Sequence, residues 1–244
     1  MTTKIGWETI LTLTFIEQLR AIAPEDVPGS RMPEAVFSHI GRLCKAVWLH
    51  SGNPADPHAV LTQGEHSDGF VDTLRILRYT NLCRMMAQQL VILFDEVWHG
   101  DPPSWVVGSD HAGVALSHSV AEILGAQHDF PEKGPNKTQN WKRFLIEPAE
   151  TVLQVEELMT TSGTLAAVRT GIRQAHSHPV QFVPHPLVLV HRSDVNEIEG
   201  EGIIHLVHYD IKKWQPGDCP WCKQGSKAIS EPKKNWEELT ARSA

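Results

Sequence analysis

The chain has only four cysteines and two tyrosines, and it has no surplus of positive charge. Four cysteines in 244 residues do not make a disulfide framework, so the fold must rest on burial, which a hydrophobic content of 41% can supply. Lys and Arg number 22 against 29 Asp and Glu, a net charge of −7, and no overall basic field is left to hold nucleic acid by its phosphates. Any polyanionic ligand must therefore meet local positive charge. No stretch approaches the roughly 18 to 20 apolar residues of a membrane span, and "MTTKIGWETI" lacks the basic and apolar regions of a secretion signal. The expectation is a cytoplasmic protein with neither nucleic acid nor membrane as partner.

What is present is an alternation of strand and helix signals. "WETILTLTFIEQLRAIA" (7–23) reads as a helix, and the Pro/Gly-rich "PEDVPGSRMPE" (24–34) separates it from the rest. A second helix, "EAVFSHIGRLCKAVWLHSG", is expected to end at Gly52. Leu82, Met85, Met86, Leu90, Leu93 and Val97 recur at helical spacing after a cap at Thr80 or Asn81, and that stripe is core. "SWVVG" then reads as a buried strand followed by the helix "VALSHSVAEILG", closed by Gly125, and "TVLQVEE" as a strand followed by "TLAAVRTGIRQAH". "HPLVLVH" and "GIIHLVHY" supply two more strands. This order predicts an α/β fold with a mostly parallel central sheet flanked by helices, whose ligands sit at the carboxyl ends of the strands. The divisions suggested are an N-terminal helical extension and linker (1–32), a main domain (33–217) and a C-terminal tail (218–244).

Within that frame "VLQVEELMTTSGT" (152–164) carries chemistry. Two carboxylates, Glu156 and Glu157, follow a buried strand, and Thr160, Thr161, Ser162, Gly163 and Thr164 lie in the turn that opens the next helix. Such a turn offers backbone N–H groups and hydroxyls to an anion at a helix amino end, while the acids suit hydroxyls or a metal. A ribose 5-phosphate satisfies both halves. No Gly-x4-Gly-Lys-Ser/Thr loop and no Gly-x-Gly-x-x-Gly after a strand competes with it.

The same stretch resembles the phosphoribosyl pyrophosphate (PRPP) motif of type I phosphoribosyltransferases. "LTQGEHSDGFVD" (61–72), "VVGSDHAGVALSHSVAEILGA" (106–126), "VLVHRS" (188–193) and "DCPWCKQGSKAI" (218–229) resemble, in the same order, segments of bacterial orotate phosphoribosyltransferases, the last of them the Cys-Pro-x-Cys tail of a longer form. The resemblance implies the type I phosphoribosyltransferase fold with a small hood, and transfer of phosphoribosyl from Mg-PRPP to orotate. It implies that Glu156 and Glu157 engage the ribose hydroxyls and the Mg²⁺ held through substrate, and that residues 160 to 164 take the 5′-phosphate. Gly108, Ser109, Asp110, His111, Ala112 and Gly113 would face pyrophosphate, and Arg192 the orotate carboxylate. The segment "EKGPNKTQNWKRF" (132–144) would be a lid whose Lys133 and Lys137 close over pyrophosphate in the neighbouring subunit, which implies a homodimer.

Asp110 puts a negative charge where a polyanion is expected, Glu132 precedes Lys133, and Gln154 interrupts an apolar strand. These departures keep open a protein that senses PRPP or a nucleotide, or a transferase for another base. His66 and His111 lie in the expected site loops. Cys219 and Cys222, with His205 and His208, have the ligand types of a zinc set, but an odd separation along a strand sends residues 205 and 208 to opposite faces.

Overall fold

Six segments, four of them apolar or β-branched runs, become the main strands in the computed structural model, which describes residues 4–241 apart from the side chain of Lys137. These are β1 (Trp105–Gly108), β2 (Gln127–Asp129), β3 (Thr151–Met159), β4 (Gln181–Phe182), β5 (Leu187–His191) and β6 (Ile204–His208). They form one sheet in the order β6-β5-β3-β1-β2, with β4 paired to the start of β3, and every pairing is parallel. Three helices accompany it: α1 (Thr80–Val97), α2 (Val114–Leu124) and α3 (Gly163–Ala175).

Strand alternation explains the layers. Trp105, Val107 and Val152 point to one face, where they pack with Val168 and Ile172 of α3. Gly108 turns to the other face, where a Cβ would overlap Ser117 of α2. Helices therefore cover both faces, which is why the strands read as continuous apolar runs. Gly125 at φ +67° ends α2 as its spacing predicts.

The chain divides into two compact units, one made of residues up to Phe37 with Leu77–Tyr209, the other of Ser38–Ile76 with Asp210–Ala244. The divisions expected after residues 32 and 217 do not coincide with these. The smaller unit pairs short strands from both of its chain passes: His58–Val60 with His66–Ser67 and with Ala228–Ile229, and His66–Ser67 with Lys213–Trp214. Phe70, Ala59, Ile229, Trp236 and Leu239 form its apolar cluster.

Two helices differ from the sequence reading. Residues 7–23 make two short helices, Trp7–Leu11 and Ile16–Arg20, because the Gln18 side chain accepts from the N–H groups of Thr14 and Phe15 and starts a new helix there. The second helix stops at Leu43; Lys45 adopts φ +54°, and Val47–Leu49, β-branched and aromatic, pair instead with Gly69–Val71. In α1 the stripe is buried as expected except for Val97, 48% exposed at the last turn, and Thr80 is the first helical residue with Tyr79 before it.

Candidate active site

The carboxyl ends of β1, β3 and β5 lie side by side, since Gly108 pairs with Val155, and Leu158 and Met159 pair with Val190 and His191. The loop after β1, the 156–164 stretch and Arg192 meet at that edge. Ser109, one residue beyond β1, donates a 2.8 Å hydrogen bond to Glu156 Oε1, and the Glu157 N–H donates to the same oxygen at 3.1 Å. Glu156 Oε2 is buried with no hydrogen-bond partner among the described residues. Burial pushes the Glu156 carboxyl up to about 7, against smaller opposing effects from Ser109 and the Glu157 N–H. A cation or ribose hydroxyl at Oε2 would reverse that.

The acids do not stand at the strand's end, as the sequence suggested. β3 continues through Leu158 to Met159, because its ladder with β5 runs to His191. Glu156 and Glu157 are therefore 4% and 9% exposed and, one residue apart, project to opposite faces. The turn is correspondingly shorter: Thr160, Thr161 and Ser162 precede α3, and Gly163 and Thr164 are already its first residues. Ser162 occupies the capping position without a side-chain capping bond, and the Gly163 N–H meets only Thr161 Oγ1 at a long 3.4 Å. The first N–H groups of a helix have no partner within it, so this turn presents donors and hydroxyls together.

Across the sheet edge, the loop 109–113 is drawn tight by its two glycines. A Cβ on Gly108 would come within 2.7 Å of the Gly113 carbonyl oxygen, and one on Gly113 within 2.8 Å of the Ser109 nitrogen. His111 takes φ +61°, an uncommon conformation for a side-chain-bearing residue, and lies exposed with Nε2 3.4 Å from Asp110 Oδ2. Arg192 follows β5 directly, and its N–H extends the ladder to the Met159 carbonyl at 2.9 Å, beside the 160–162 turn.

The expected lid is a hairpin. Glu132–Lys133 pairs with Gln139–Asn140 around a short turn at Pro135–Lys137. Its base is anchored: Trp141 packs edge-on against Trp105 at 5.8 Å, and Gln139 abuts α3 so closely that a Cβ on Gly171 would overlap its carbonyl oxygen. Two of the basic residues are committed locally, Lys142 to Glu132 at 2.8 Å and Arg143 to Glu132 at 2.7 Å and Asp129 at 3.3 Å. Lys133 is exposed; the Lys137 side chain lies outside what is described.

Several features were not read from the sequence. Gln154 does not interrupt β3: its side chain donates to the Leu165 carbonyl at 2.9 Å and accepts from Arg169 Nε at 3.2 Å, so it joins strand to helix. Arg169, 1% exposed, reaches Glu199 and Glu201 at 2.7 and 3.2 Å. Hydrogen bonds from Arg173, then Arg169, hold Glu199 down to about 2 despite burial. His66 is no loop residue; it lies in a strand of the smaller unit, 2.8 Å from His58. His205 and His208 do not join the cysteines. Both lean on His191, with His191 and His208 Nδ1 atoms 2.7 Å apart and the rings of His205 and His208 5.8 Å apart despite their odd separation, and the side chains gathered around Cys219 and Cys222 are His58 and His66.

No protein-family model matches the chain. The orotate phosphoribosyltransferase of Pelotomaculum thermopropionicum is 30% identical over 184 residues, covering 75% of this chain and 93% of that protein. That of Desulforamulus reducens is 27% identical over 183 residues, covering 75% and 92%. In fold, the chain resembles the crystal structure of Mycobacterium tuberculosis orotate phosphoribosyltransferase, with TM-score 0.50 and 15% identity over 70% of this chain and 95% of that one. No described helix is long and apolar enough to cross a membrane. A parallel sheet carrying paired acids, a hydroxyl-rich turn and a glycine-closed loop on one edge, together with these relatives, places the chain in the orotate phosphoribosyltransferase family.

Proposed function

We propose that the protein transfers the phosphoribosyl group of PRPP to N1 of orotate, giving orotidine 5′-monophosphate and pyrophosphate. The observation that carries this reading is the Ser109–Glu156 hydrogen bond, which links the loop assigned to pyrophosphate with the strand assigned to ribose. In the reaction the bond from ribose C1 to pyrophosphate breaks, C1 bonds to orotate N1, and the N1 proton is released. Charge builds on the ribose ring, so positioning and nearby carboxylates serve it better than a protein nucleophile.

Glu156 and Glu157 would hold the ribose hydroxyls. Thr160, Thr161 and Ser162, with the amino end of α3, would hold the 5′-phosphate. The 109–113 loop would face pyrophosphate, and Arg192 would pair its planar fork with the orotate carboxylate. The unpartnered Glu156 Oε2 fits a site for Mg²⁺, which Glu156 would hold through substrate oxygens and water and where the ion would neutralise the leaving group. Lys133 and Lys137 would close over pyrophosphate from a second copy in a homodimer.

Asp110 in the loop and the pairing of Lys142 and Arg143 with acids favour a second reading, a weak enzyme or PRPP-binding sensor on the same fold. One assay separates them. Orotate consumption with Mg²⁺ and PRPP supports the transferase; PRPP binding without turnover supports the sensor. Mixing then tests the dimer. Glu157→Gln and Lys133→Ala/Lys137→Ala chains, each inactive alone, should on subunit exchange regain about one quarter of wild-type sites if sites are shared. Activity that stays at background after verified exchange would rule sharing out.

A further inference from the structure

The reaction proposed above makes no use of the Cys-Pro-Trp-Cys turn, yet the smaller unit gathers four metal-ligating side chains around it. His58, His66, Cys219 and Cys222 each present one ligand atom, and these atoms all lie within 4.8 Å of one another. His58 Nε2 is 3.6 Å from Cys219 Sγ, 3.5 Å from Cys222 Sγ and 2.8 Å from His66 Nδ1, and Cys222 Sγ is 3.2 Å from His66 Nδ1. We propose that these four residues bind one Zn²⁺, which staples the C-terminal pass of the smaller unit to its first hairpin.

The distances have the scale of a coordination polyhedron. With Zn–S of about 2.3 Å and Zn–N of about 2.05 Å, a tetrahedral N2S2 site has N···S edges of about 3.6 Å and an N···N edge of about 3.3 Å. The His–His edge, 2.8 Å, and the Cys222–His66 edge, 3.2 Å, are both shorter, and each opens by about half an ångström or less on metal binding. Hydrogen bonding is a poorer account of the cluster. A single imidazole nitrogen carries one proton or one lone pair, and His58 Nε2 has three partners within 3.6 Å.

The surroundings fix which it carries. Ser226 Oγ donates its one proton to the Asp56 carbonyl at 2.6 Å and must therefore accept from His58 Nδ1 at 2.8 Å. Nδ1 thus bears the hydrogen and Nε2 the lone pair, directed at the two sulfurs. An outer hydrogen bond that sets the tautomer of a ligand histidine is what metal sites use. The turn itself is built for return: Trp221 packs on His50 at a 32° tilt with ring centroids 3.8 Å apart, Gly225 takes φ +86°, and the Ser226 N–H closes on the Trp221 carbonyl at 3.0 Å. His58 and Cys219 are fully buried, and Cys222 closes the set from the exposed side. Thiolate and imidazole in equal number select zinc over the oxygen-seeking magnesium.

The test uses the full chain, purified under reducing conditions without chelator and supplied with Zn²⁺ alone. Metal analysis by plasma mass spectrometry is expected to find one zinc per chain that survives dialysis, and its removal by chelator is expected to lower Tm by several degrees, restored by Zn²⁺. Replacement with Co²⁺ should give thiolate charge-transfer absorption and the intense visible bands of tetrahedral coordination. Cys222→Ser and His66→Ala should lose the metal, and His205→Ala should keep it. If the variants fail to fold, the Co²⁺ spectrum of the unaltered chain still decides. Failure of the reduced chain to take up Zn²⁺, Co²⁺ bands without thiolate character, or a Cys219–Cys222 disulfide whose reduction restores no uptake would each overturn the site. None of these outcomes depends on orotate turnover.

Discussion

The two units of the chain are stabilised differently. In the larger, β3 runs for nine residues within a wholly parallel sheet, and its side chains are buried from both faces. In the smaller, no strand among the described residues exceeds three residues. Strands that short bury little, and cross-links take over: Phe70 against Trp236 at 6.5 Å, ion pairs from Lys213 to Glu65 and from Lys233 to Asp72, and the His/Cys cluster. Strand length thus decides whether burial alone can hold a layer together.

The largest expected effect that tests this contrast is Trp236→Ala. It should cost about 3–5 kcal/mol and raise hydrogen exchange across residues 38–76 and 210–241, while β3 and β5 keep their protection. Exchange rising equally in both units would abolish the distinction. Next, Arg169→Ala should cost about 2–3 kcal/mol, because Gln154 Oε1 loses its buried donor. Denaturant unfolding measures it, and a near-zero cost would make the polar joint between β3 and α3 dispensable.

A pH effect of similar size is expected at Glu156. Its folded value, about 7, lies above its ordinary 4.5, so its contribution is fully favourable below 4.5 and is lost as pH rises to about 7. Relative to wild type, Glu156→Gln should therefore gain stability across that window, by up to roughly 3 kcal/mol, and level off above it. A constant difference from pH 4 to 8, read from Tm, would contradict the assignment. The smallest effect is Lys213→Ala, about 0.5 kcal/mol or less, since its pair with Glu65 is exposed to water. A larger loss would shift credit in the smaller unit from its cluster to its ion pairs.

Much of the larger unit could be read directly because its signals are local. A strand buried on both faces is a continuous apolar run, and a helix closed by Gly125 carries its own stop. What escaped is non-local. β3 extends past Glu157 because β5 offers partners as far as His191, which no property of residues 158 and 159 announces. Gln154 looked like an interruption because Arg169, fifteen residues on, is invisible as its partner until the helix folds back. Of the residues proposed to bind zinc, Cys219 and Cys222 were legible as a pair, and the two histidines escaped for the same reason. His58 and His66 lie more than 150 residues from the cysteines, and the nearer His205 and His208 drew attention by proximity in sequence alone. Glu156, Ser109 and Arg192 could be singled out as candidates because each follows a strand or lies near the end of one, the positions where a parallel sheet gathers function.

The interrupted course of the smaller unit also bears on how the protein is made. Its first pass ends at Ile76 and its second begins at Asp210, so a growing chain must add residues 77–209 before the strands at 58–60 and 66–67 meet their partners at 228–229 and 213–214. At about 5–20 residues per second, that interval is on the order of ten seconds. Over that time the early hairpin edges are unpaired on the ribosome, and the parallel sheet, whose edge strand β6 ends at His208, gains its last strand only as the interval closes.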